Sequence, residues 1–311
     1  MNRNASCLFV ETLHALPLAA VLTVEFGIGL LGNGVALWIF CFRMAMWTPS
    51  TIFLFNLSIA DFMLLFFLPF RAHYFLNSSQ WHFGDVPCRI MLFMVSLNRA
   101  GSISFLTVVA VDRYFKIVHP YHQVNSITKK EAIGIVALIW SVIIAMTVHI
   151  LTETHLINEE FTNRTLCESF DLNQNFSATQ VWQNIFFMAE CVVPLVAILF
   201  CTQSIVRQLK TRQVERQIKI QRAVRAVTLV SFEFTFCFLP STVATIAVYI
   251  SKCLHKCDAF QKSCLLFVFS LSLTYLDSVL NPLVFYFSSP TFRSTLNISI
   301  IPNFLRKCRN Q

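Results

Sequence analysis

Several ionisable side chains stand inside long apolar stretches of this sequence, where each is expensive unless it is paired or hydrated. They include Glu25, Asp61, Arg99, Asp112, Arg113, Glu190, Glu233 and Asp277. Asp112 and Arg113 are neighbours and can neutralise each other. Arg99 is a cation that a ligand carboxylate would satisfy through two parallel hydrogen bonds. The competing interpretation is structural, because a permanent salt bridge to Glu25 or Glu190 would satisfy Arg99 equally well.

A second set of polar residues carries the oxygen atoms that suit a small cation. The set consists of Asp61, Ser102, Asp277 and Asn281, which come from three different apolar stretches at similar depth. Hard cations prefer oxygen ligands, so two carboxylates, a hydroxyl and an amide form an expected cage, although their spacing alone is weak evidence. Glu233 is a further acid in the middle of its stretch, and the pattern assigns it no role.

The segments that must position these residues are long enough to cross a bilayer. Of the 311 residues, 56% are hydrophobic and only 13% are charged, whereas soluble domains carry roughly 25% charged residues. A spanning helix needs about 20 mostly apolar residues. Seven stretches meet that requirement and predict an all-α bundle of seven spans, at 17–42, 51–74, 87–115, 131–151, 183–206, 222–250 and 265–287. Pro194, Pro240 and Pro282 interrupt the last three and predict kinks.

The distribution of positive charge predicts the orientation of the chain. Sixteen of the 24 Lys and Arg residues fall in segments that one orientation places inside, including the basic stretch 207–225. The positive-inside rule therefore predicts an extracellular N-terminus. The net charge of +8 then needs no nucleic-acid partner, although anionic lipid is an alternative partner for 207–225. Glycosylation sequons fall on the predicted outside at Asn4, Asn77, Asn163 and Asn175.

We expect three parts in the chain and no catalytic centre. The parts are an extracellular segment 1–16, the membrane bundle 17–287, and a cytoplasmic tail 288–311 with a short amphipathic segment. No nucleophile–base pair stands out, and no CxxC pair in a loop suggests zinc. The rival to a receptor is a small-anion transporter with Arg99 as its substrate site, but transporters are often built from repeats and no internal repeat is visible.

Seven landmarks, one in each span, resemble those of the rhodopsin-like G-protein-coupled receptors. They are Gly32-Asn33, Leu57 to Asp61, Asp112-Arg113-Tyr114, Trp140, Pro194, Phe234 to Pro240, and Asn281 to Phe285. The ordered set is specific, whereas any single landmark is not. The chain departs from the usual pattern at Phe285, where the family usually has Tyr, and at Phe238, where it usually has Trp. Ile220 stands where an acid often pairs with Arg113.

Within that family, the chain is similar to the hydroxycarboxylic acid and oxo-eicosanoid receptors. The stretches that carry this similarity are Leu68 to Arg71, Trp81 to Arg89, Leu97 to Ile103, Val109 to Phe115, Ser272 to Leu276 and Phe287 to Pro290. The resemblance implies an acid ligand on Arg99, such as lactate, hydroxybutyrate or a nicotinate-like acid. It also places Arg71, Ser169 and Tyr275 in the same pocket. Thr245 stands where some relatives carry an arginine, which favours the alternative of a hydroxy- or oxo-eicosanoid ligand.

The resemblance further implies a switch and its partners. The switch residues would be Asp112, Arg113, Tyr114, Phe238, Pro240, Asn281 and Pro282. The signalling partner would be a heterotrimeric G protein of the inhibitory class, which lowers cyclic AMP, and the receptor would act at the plasma membrane. A sodium ion held at Asp61, Ser102, Asp277 and Asn281 would favour the inactive state, and no other cofactor is expected.

Two disulfides are also implied by the resemblance, on the oxidising extracellular face. One would join Cys88 to Cys167. The other would join Cys7 to Cys257, with Cys253 and Cys264 as alternatives that the sequence leaves open.

Overall fold

The structure is a computed structural model that describes residues 15–44, 46–159, 164–167, 178–211, 214–254 and 257–300. Within those ranges, seven helices are long and apolar enough to cross a membrane. They lie at Leu16–Arg43, Pro49–Leu76, Asp85–Val118, Lys129–Leu151, Ile185–Gln208, Ile220–Cys253 and Cys257–Ser288. The prediction of an all-α bundle with seven spans is confirmed.

The helices are numbered in chain order. They are α1 (Ala15–Trp38), α2 (Pro49–Leu76), α3 (Asp85–Val118), α4 (Lys129–Thr147), α5 (Ala178–Thr211), α6 (Val214–Glu233), α7 (Leu239–Cys253), α8 (Cys257–Ser288) and α9 (Pro290–Ile300). A π-helical turn, Ile39–Arg43, continues α1, and a second one, Phe234–Phe238, joins α6 to α7. The sixth span is therefore α6, the second π turn and α7, and the seventh span is α8.

Local sequence fixes where α2 and α4 begin. The backbone N–H of Thr51 donates to the Thr48 hydroxyl at 3.3 Å, and Pro49 occupies the first turn of α2. Thr128 and Glu131 form a reciprocal capping box at the start of α4, with Thr128 N–H donating to the Glu131 carboxylate at 2.7 Å. Such caps contribute about 1 kcal/mol each, so both helices start at defined residues on the predicted inner side.

The seventh span begins at Cys257, eight residues before the predicted start at 265. Its first turns are polar, and the Lys262 ammonium pairs with the Asp258 carboxylate at 2.9 Å, one helical turn away. Such i,i+4 pairs support a helix in water, but they lower its hydropathy. A search for apolar runs therefore finds only the part of α8 that lies within the bilayer.

A two-stranded hairpin covers the outer end of α3, and the sequence analysis did not predict it. Strand β1 (Leu156–Glu159) pairs antiparallel with β2 (Arg164–Cys167), and Leu156 lies opposite Cys167. The Trp81 backbone N–H donates to the Thr165 carbonyl at 2.8 Å, which ties the hairpin to the end of α2. Burial of His155, just before β1, lowers the pKa of its imidazole below the usual range.

Candidate functional site

Arg99 lies near the middle of α3 and is 4% exposed. Its Nη1 donates to Glu190 Oε1 on α5 at 3.3 Å, and its Nη2 donates to the Thr242 hydroxyl on α7 at 2.8 Å. The Phe187 ring of α5 covers the guanidinium, with 3.9 Å between Arg99 Cζ and the ring centroid. Three helices therefore converge on one cation. The salt bridge to Glu190 is formed, and Glu25, the other predicted partner, has a buried Oε2 without a hydrogen-bond partner among the described residues.

The salt bridge between Arg99 and Glu190 is a single-pronged contact. Charge-assisted N–H···O bonds are usually about 2.7–2.9 Å long, and the strongest arginine–carboxylate pairs use two parallel bonds. Here one nitrogen meets one oxygen at 3.3 Å. Arg99 Nε is buried and has no hydrogen-bond partner within the described part of the chain. The guanidinium therefore keeps donor capacity that a second carboxylate can use.

Arg71 and Tyr275 line one small cavity together. Its walls are Leu18, Leu22, Arg71, Phe75, Val268, Leu271, Ser272 and Tyr275. Arg71 Nη1 donates to the Cys167 carbonyl at 3.3 Å, so the second outer loop closes on the same arginine. Arg99 is not part of this lining, and Ser169 lies outside the described residues. The structure thus groups two of the predicted pocket residues, Arg71 and Tyr275, between α1, α2 and α8.

Asp61 is the centre of a buried hydrogen-bond network that joins α2, α3 and α8. It accepts from Asn98 Nδ2 at 3.2 Å, from the Ser278 hydroxyl at 2.9 Å and from Asn281 Nδ2 at 2.9 Å. Asn281 Nδ2 also donates to Asp277 at 3.0 Å. The structure therefore brings the two aspartates and the asparagine of the predicted cation cage together.

The donor set around Asp61 fits a small hard cation. The Ser102 hydroxyl lies beside both aspartates. The Oδ1 atoms of Asn98 and Asn281 are buried and accept no hydrogen bond from the described residues. Orphaned carbonyl and carboxylate oxygens are the ligands that sodium prefers, so the residues present could hold that ion.

Glu233 adds a third acid to this region from the last residue of α6. It is completely buried, and neither of its carboxyl oxygens has a hydrogen-bond partner among the described residues. It is close enough to interact electrostatically with Asp61 and Asp277. Three acids in one low-dielectric region cannot all carry an uncompensated charge.

Arg113, at the inner end of α3, forms hydrogen bonds with the adjacent Asp112 and with Ser50 of α2. Its Nη2 donates to Asp112 Oδ2 at 2.5 Å and to the Ser50 hydroxyl of α2 at 2.9 Å. The Ser50 hydroxyl donates to Asp112 at 3.0 Å, and Lys116 Nζ lies 2.8 Å from Asp112 Oδ1. Ile220 on α6 is buried and contributes no acid. The bonds of Arg113 therefore join α3 to α2.

Of the other predicted switch residues, Phe238, Pro240 and Pro282 lie within the sixth and seventh spans, and Tyr114 lies near the inner end of α3. Phe238 ends the π turn and is fully buried, and Pro240 occupies the first turn of α7. The Thr274 hydroxyl of α8 donates to the Cys237 carbonyl at 3.0 Å, which satisfies a carbonyl inside the π turn. Pro282 of α8 packs against α1, and the Tyr114 hydroxyl lies 3.1 Å from His119 Nε2.

The disulfide between Cys88 and Cys167 is present and joins β2 to the first turn of α3. Cys257 is also disulfide-bonded. Cys7, its predicted partner, lies outside the described residues, and Cys253 is a free thiol. Asn77 is exposed at the outer end of α2. The sequons at Asn4, Asn163 and Asn175 lie outside the described residues.

Four residues that complete the two arginine sites were missed by the sequence analysis. They are Phe187 and Thr242 beside Arg99, and Ser50 and Lys116 beside Asp112. Lys116 could have been found, because it follows Asp112 by four residues on one helix and such pairs face each other. The other three come from different helices, and no local pattern in the sequence marks them.

Comparisons with known proteins agree with this architecture. Residues 32–285 match the family described as 7 transmembrane receptor (rhodopsin family). Hydroxycarboxylic acid receptor 1 of Homo sapiens is 45% identical over 297 residues, which cover 94% of this chain and 83% of that receptor. Hydroxycarboxylic acid receptor 3 of Homo sapiens is 44% identical, with 94% and 75% covered. The human 12-(S)-hydroxy-5,8,10,14-eicosatetraenoic acid receptor is 40% identical, with 93% and 90% covered.

Proposed function

Because the chain belongs to the rhodopsin family of seven-transmembrane receptors, we propose that it is a G-protein-coupled receptor activated by a carboxylic acid bound at Arg99. The observation that carries the proposal is the buried guanidinium, which three helices surround and only one weak carboxylate contact neutralises. Relatives named for hydroxycarboxylic acids support a short hydroxy acid as the ligand class.

A hydroxy- or oxo-eicosanoid is the second candidate ligand. The human relative named for 12-(S)-hydroxy-5,8,10,14-eicosatetraenoic acid supports it. Thr245 on α7 is buried and donates to the Ser241 carbonyl of its own helix at 2.8 Å. The position therefore offers no positive charge to a ligand, and an apolar chain can pack there with little desolvation cost.

Activation would proceed by a difference in affinity between two conformations, because only such a difference can shift the equilibrium. The acid binds Arg99 more tightly in the active state. The inner end of α6 then moves away from α3, and Arg113 leaves Asp112 and Ser50 to meet a G protein of the inhibitory class.

The proposed site of action is the plasma membrane, with the N-terminus outside. Three disulfide-bonded cysteines support this orientation, since Cys88, Cys167 and Cys257 all lie at the same end of the bundle. Disulfides form and persist on the oxidising side of a membrane. The predicted sugars on Asn4, Asn77, Asn163 and Asn175 would lie on that same side.

A sodium ion at Asp61, Ser102, Asp277 and Asn281 is proposed as a negative regulator. The uncharged oxygens of Asn98 and Asn281 support it, because they are buried without donors among the described residues. We expect acid potency to be higher when sodium is replaced by a large organic cation, and Asp61→Asn to remove that difference. Equal potency in both buffers in the unmodified receptor would contradict the sodium proposal.

The deciding experiment is a cyclic-AMP assay in cells that express the chain, with lactate, 3-hydroxybutyrate, nicotinate and 12-hydroxyeicosatetraenoate as probes. We expect one acid class to lower cyclic AMP, and the response to vanish in Arg99→Ala. Arg89→Ala is the matched control, since Arg89 lies on the same helix and pairs with Asp85 outside the Arg99 site. If the acid still lowered cyclic AMP in cells that express Arg99→Ala, Arg99 would not anchor the ligand. Uptake of labelled acid without a G-protein response would favour a transporter.

A further inference from the structure

We propose that acid binding at Arg99 is coupled to protonation of Glu190: the ligand carboxylate takes the place of Glu190 on the guanidinium, and Glu190 takes up one proton. This inference rests on the proposed function, since it concerns the same ligand class at the same arginine.

The geometry around Arg99 favours exchange of one carboxylate for another. Glu190 holds the guanidinium through one contact of 3.3 Å, while Thr242 holds Nη2 at 2.8 Å and Phe187 covers one face. These neutral contacts position the cation without neutralising it. The unpartnered Arg99 Nε leaves a donor for a second hydrogen bond to a carboxylate, which Glu190 does not accept. An incoming carboxylate can therefore form a stronger pair than the one it replaces.

The charge balance requires a compensating ion. Within the described part of the chain, Arg99 is the charged group that acts on Glu190, and Cys191 is the other titratable neighbour of the pair. Thr242, which reaches the pair from α7, is neutral. Without a bound acid, the site therefore contains one cation, Arg99, and one anion, Glu190. A second carboxylate would leave a net negative charge in a buried site, which is costly.

A proton on Glu190 removes this cost. In the exchange, the hydrogen bond between Arg99 and Glu190 breaks, the bonds between Arg99 and the ligand anion form, and a hydronium ion of the solution transfers a proton to the Glu190 carboxylate and becomes water. The net charge of the site stays at zero, and no bond to carbon changes. Two carboxylates that share one site favour holding a single proton between them. Uptake of one proton per ligand makes the apparent affinity rise about tenfold for each unit by which the pH falls.

The test uses the full-length receptor in lipid nanodiscs and the probe acid that lowers cyclic AMP in the assay above. If none does, benzoate serves as the probe and its binding is followed by thermal shift. Carboxylic acids of this kind stay ionised between about pH 6 and 8, so a slope of binding with pH reports on the protein. We expect the dissociation constant to fall about tenfold per pH unit on acidification. Glu190→Gln should show no slope and bind at least roughly tenfold tighter near pH 8.

Two further variants separate this coupling from a structural effect. Glu190→Asp keeps an ionisable group and should keep the slope. Glu25→Gln is the matched control, because it removes another buried carboxyl, on which no charged group of the described residues acts, and it should also keep the slope. If Glu190→Gln does not fold, infrared difference spectra of the unmodified receptor give the same answer, since acid binding should produce a new band from a protonated carboxyl group.

Each result has a distinct meaning. An equal slope in the unmodified receptor and in Glu190→Gln overturns the inference, and so does acid binding without any slope or without the infrared band. Acid binding that survives Arg99→Ala overturns the proposed function instead. An acid that binds no form of the receptor at any pH overturns both.

Discussion

The two arginines of α3 are neutralised in opposite ways. Arg99 depends on Glu190, which belongs to another helix and reaches it through one contact of 3.3 Å. Arg113 depends on Asp112, its own neighbour, at 2.5 Å, and on the Ser50 hydroxyl of α2 at 2.9 Å. The outer bridge therefore depends on the separation of α3 and α5, whereas the inner network is built from residues of α2 and α3.

This difference indicates which contacts a ligand can change. An anion can replace Glu190 at the outer site, because it supplies the same chemistry in better geometry. At the inner network, the buried Ile220 gives α6 no acid at the position that could hold Arg113. We infer that the inactive conformation is held on the inner side mainly by α2, through the Ser50 hydroxyl.

The largest expected effect comes from breaking the outer bridge on one side. Arg99→Ala leaves Glu190 buried without its partner, which typically costs about 3–5 kcal/mol. The double variant Arg99→Leu/Glu190→Leu replaces both charges by apolar groups and should recover most of that loss, although it should not respond to acids. Thermal unfolding of the purified receptors measures both effects. A double variant no more stable than Arg99→Ala would contradict this account of the bridge.

The inner network should respond differently, with a change in activity rather than in stability. Ser50→Ala removes a hydroxyl that bonds to Asp112, Arg113 and Lys116, and side-chain hydrogen bonds to charged groups contribute about 1.5–3 kcal/mol. We expect ligand-free nucleotide exchange on the G protein to rise severalfold. Ser141→Ala is the matched control, because that hydroxyl bonds only to the Ala137 carbonyl of its own helix among the described residues. If basal nucleotide exchange were unchanged in Ser50→Ala, the hydrogen bonds from α2 would not hold the inactive conformation.

A smaller effect is expected at Thr242, which positions Arg99 without neutralising it. Thr242→Val keeps the shape of the side chain and removes the hydroxyl that accepts from Arg99 at 2.8 Å. A single hydrogen bond to a charged group contributes about 1.5 kcal/mol at the low end of the usual range, so acid potency should fall about tenfold in the cyclic-AMP assay. A loss as large as that in Arg99→Ala would mean that Thr242 contacts the ligand itself.

The smallest effect is expected at Lys116, the exposed member of the inner network. Its side chain is 38% exposed, and it pairs with Asp112 across one helical turn. Exposed ion pairs four residues apart on a helix contribute about 0.3–0.5 kcal/mol. Lys116→Gln should therefore change basal nucleotide exchange by less than about threefold, and high salt should reduce the difference further. A larger change would make the inner network more dependent on this lysine than on Ser50.

The sequence predicted the spans well and the partners of the buried charges only in part. Apolar length is a local property, so the seven crossings and the depth of Arg99 follow from counting residues. The choice between Glu25 and Glu190 depends on how α1 and α5 are rotated about their axes, and packing between helices decides that rotation.

The π turn and the two-stranded hairpin could not be predicted from the sequence either. The stretch around Phe234–Phe238 is apolar throughout, so its hydropathy is the same for an α turn and a π turn. The hairpin from Leu156 to Cys167 is short and mostly determined by its disulfide and by the contact with Trp81. Both features depend on contacts between distant parts of the chain, which local sequence patterns do not predict.

The π turn in the sixth span affects how the receptor would respond to the deletion of a single residue. A π turn closes its hydrogen bonds over one more residue than an α turn does, so Phe234–Phe238 carries a surplus residue. Loss of one codon within these five residues would tighten the turn and leave Glu233 and Thr242 facing as they do now. The same loss inside α7, on the near side of Thr242, would rotate that residue by about 100° and turn it away from Arg99. We therefore expect the fold to tolerate a single-residue deletion better at Phe234–Phe238 than within α7 before Thr242.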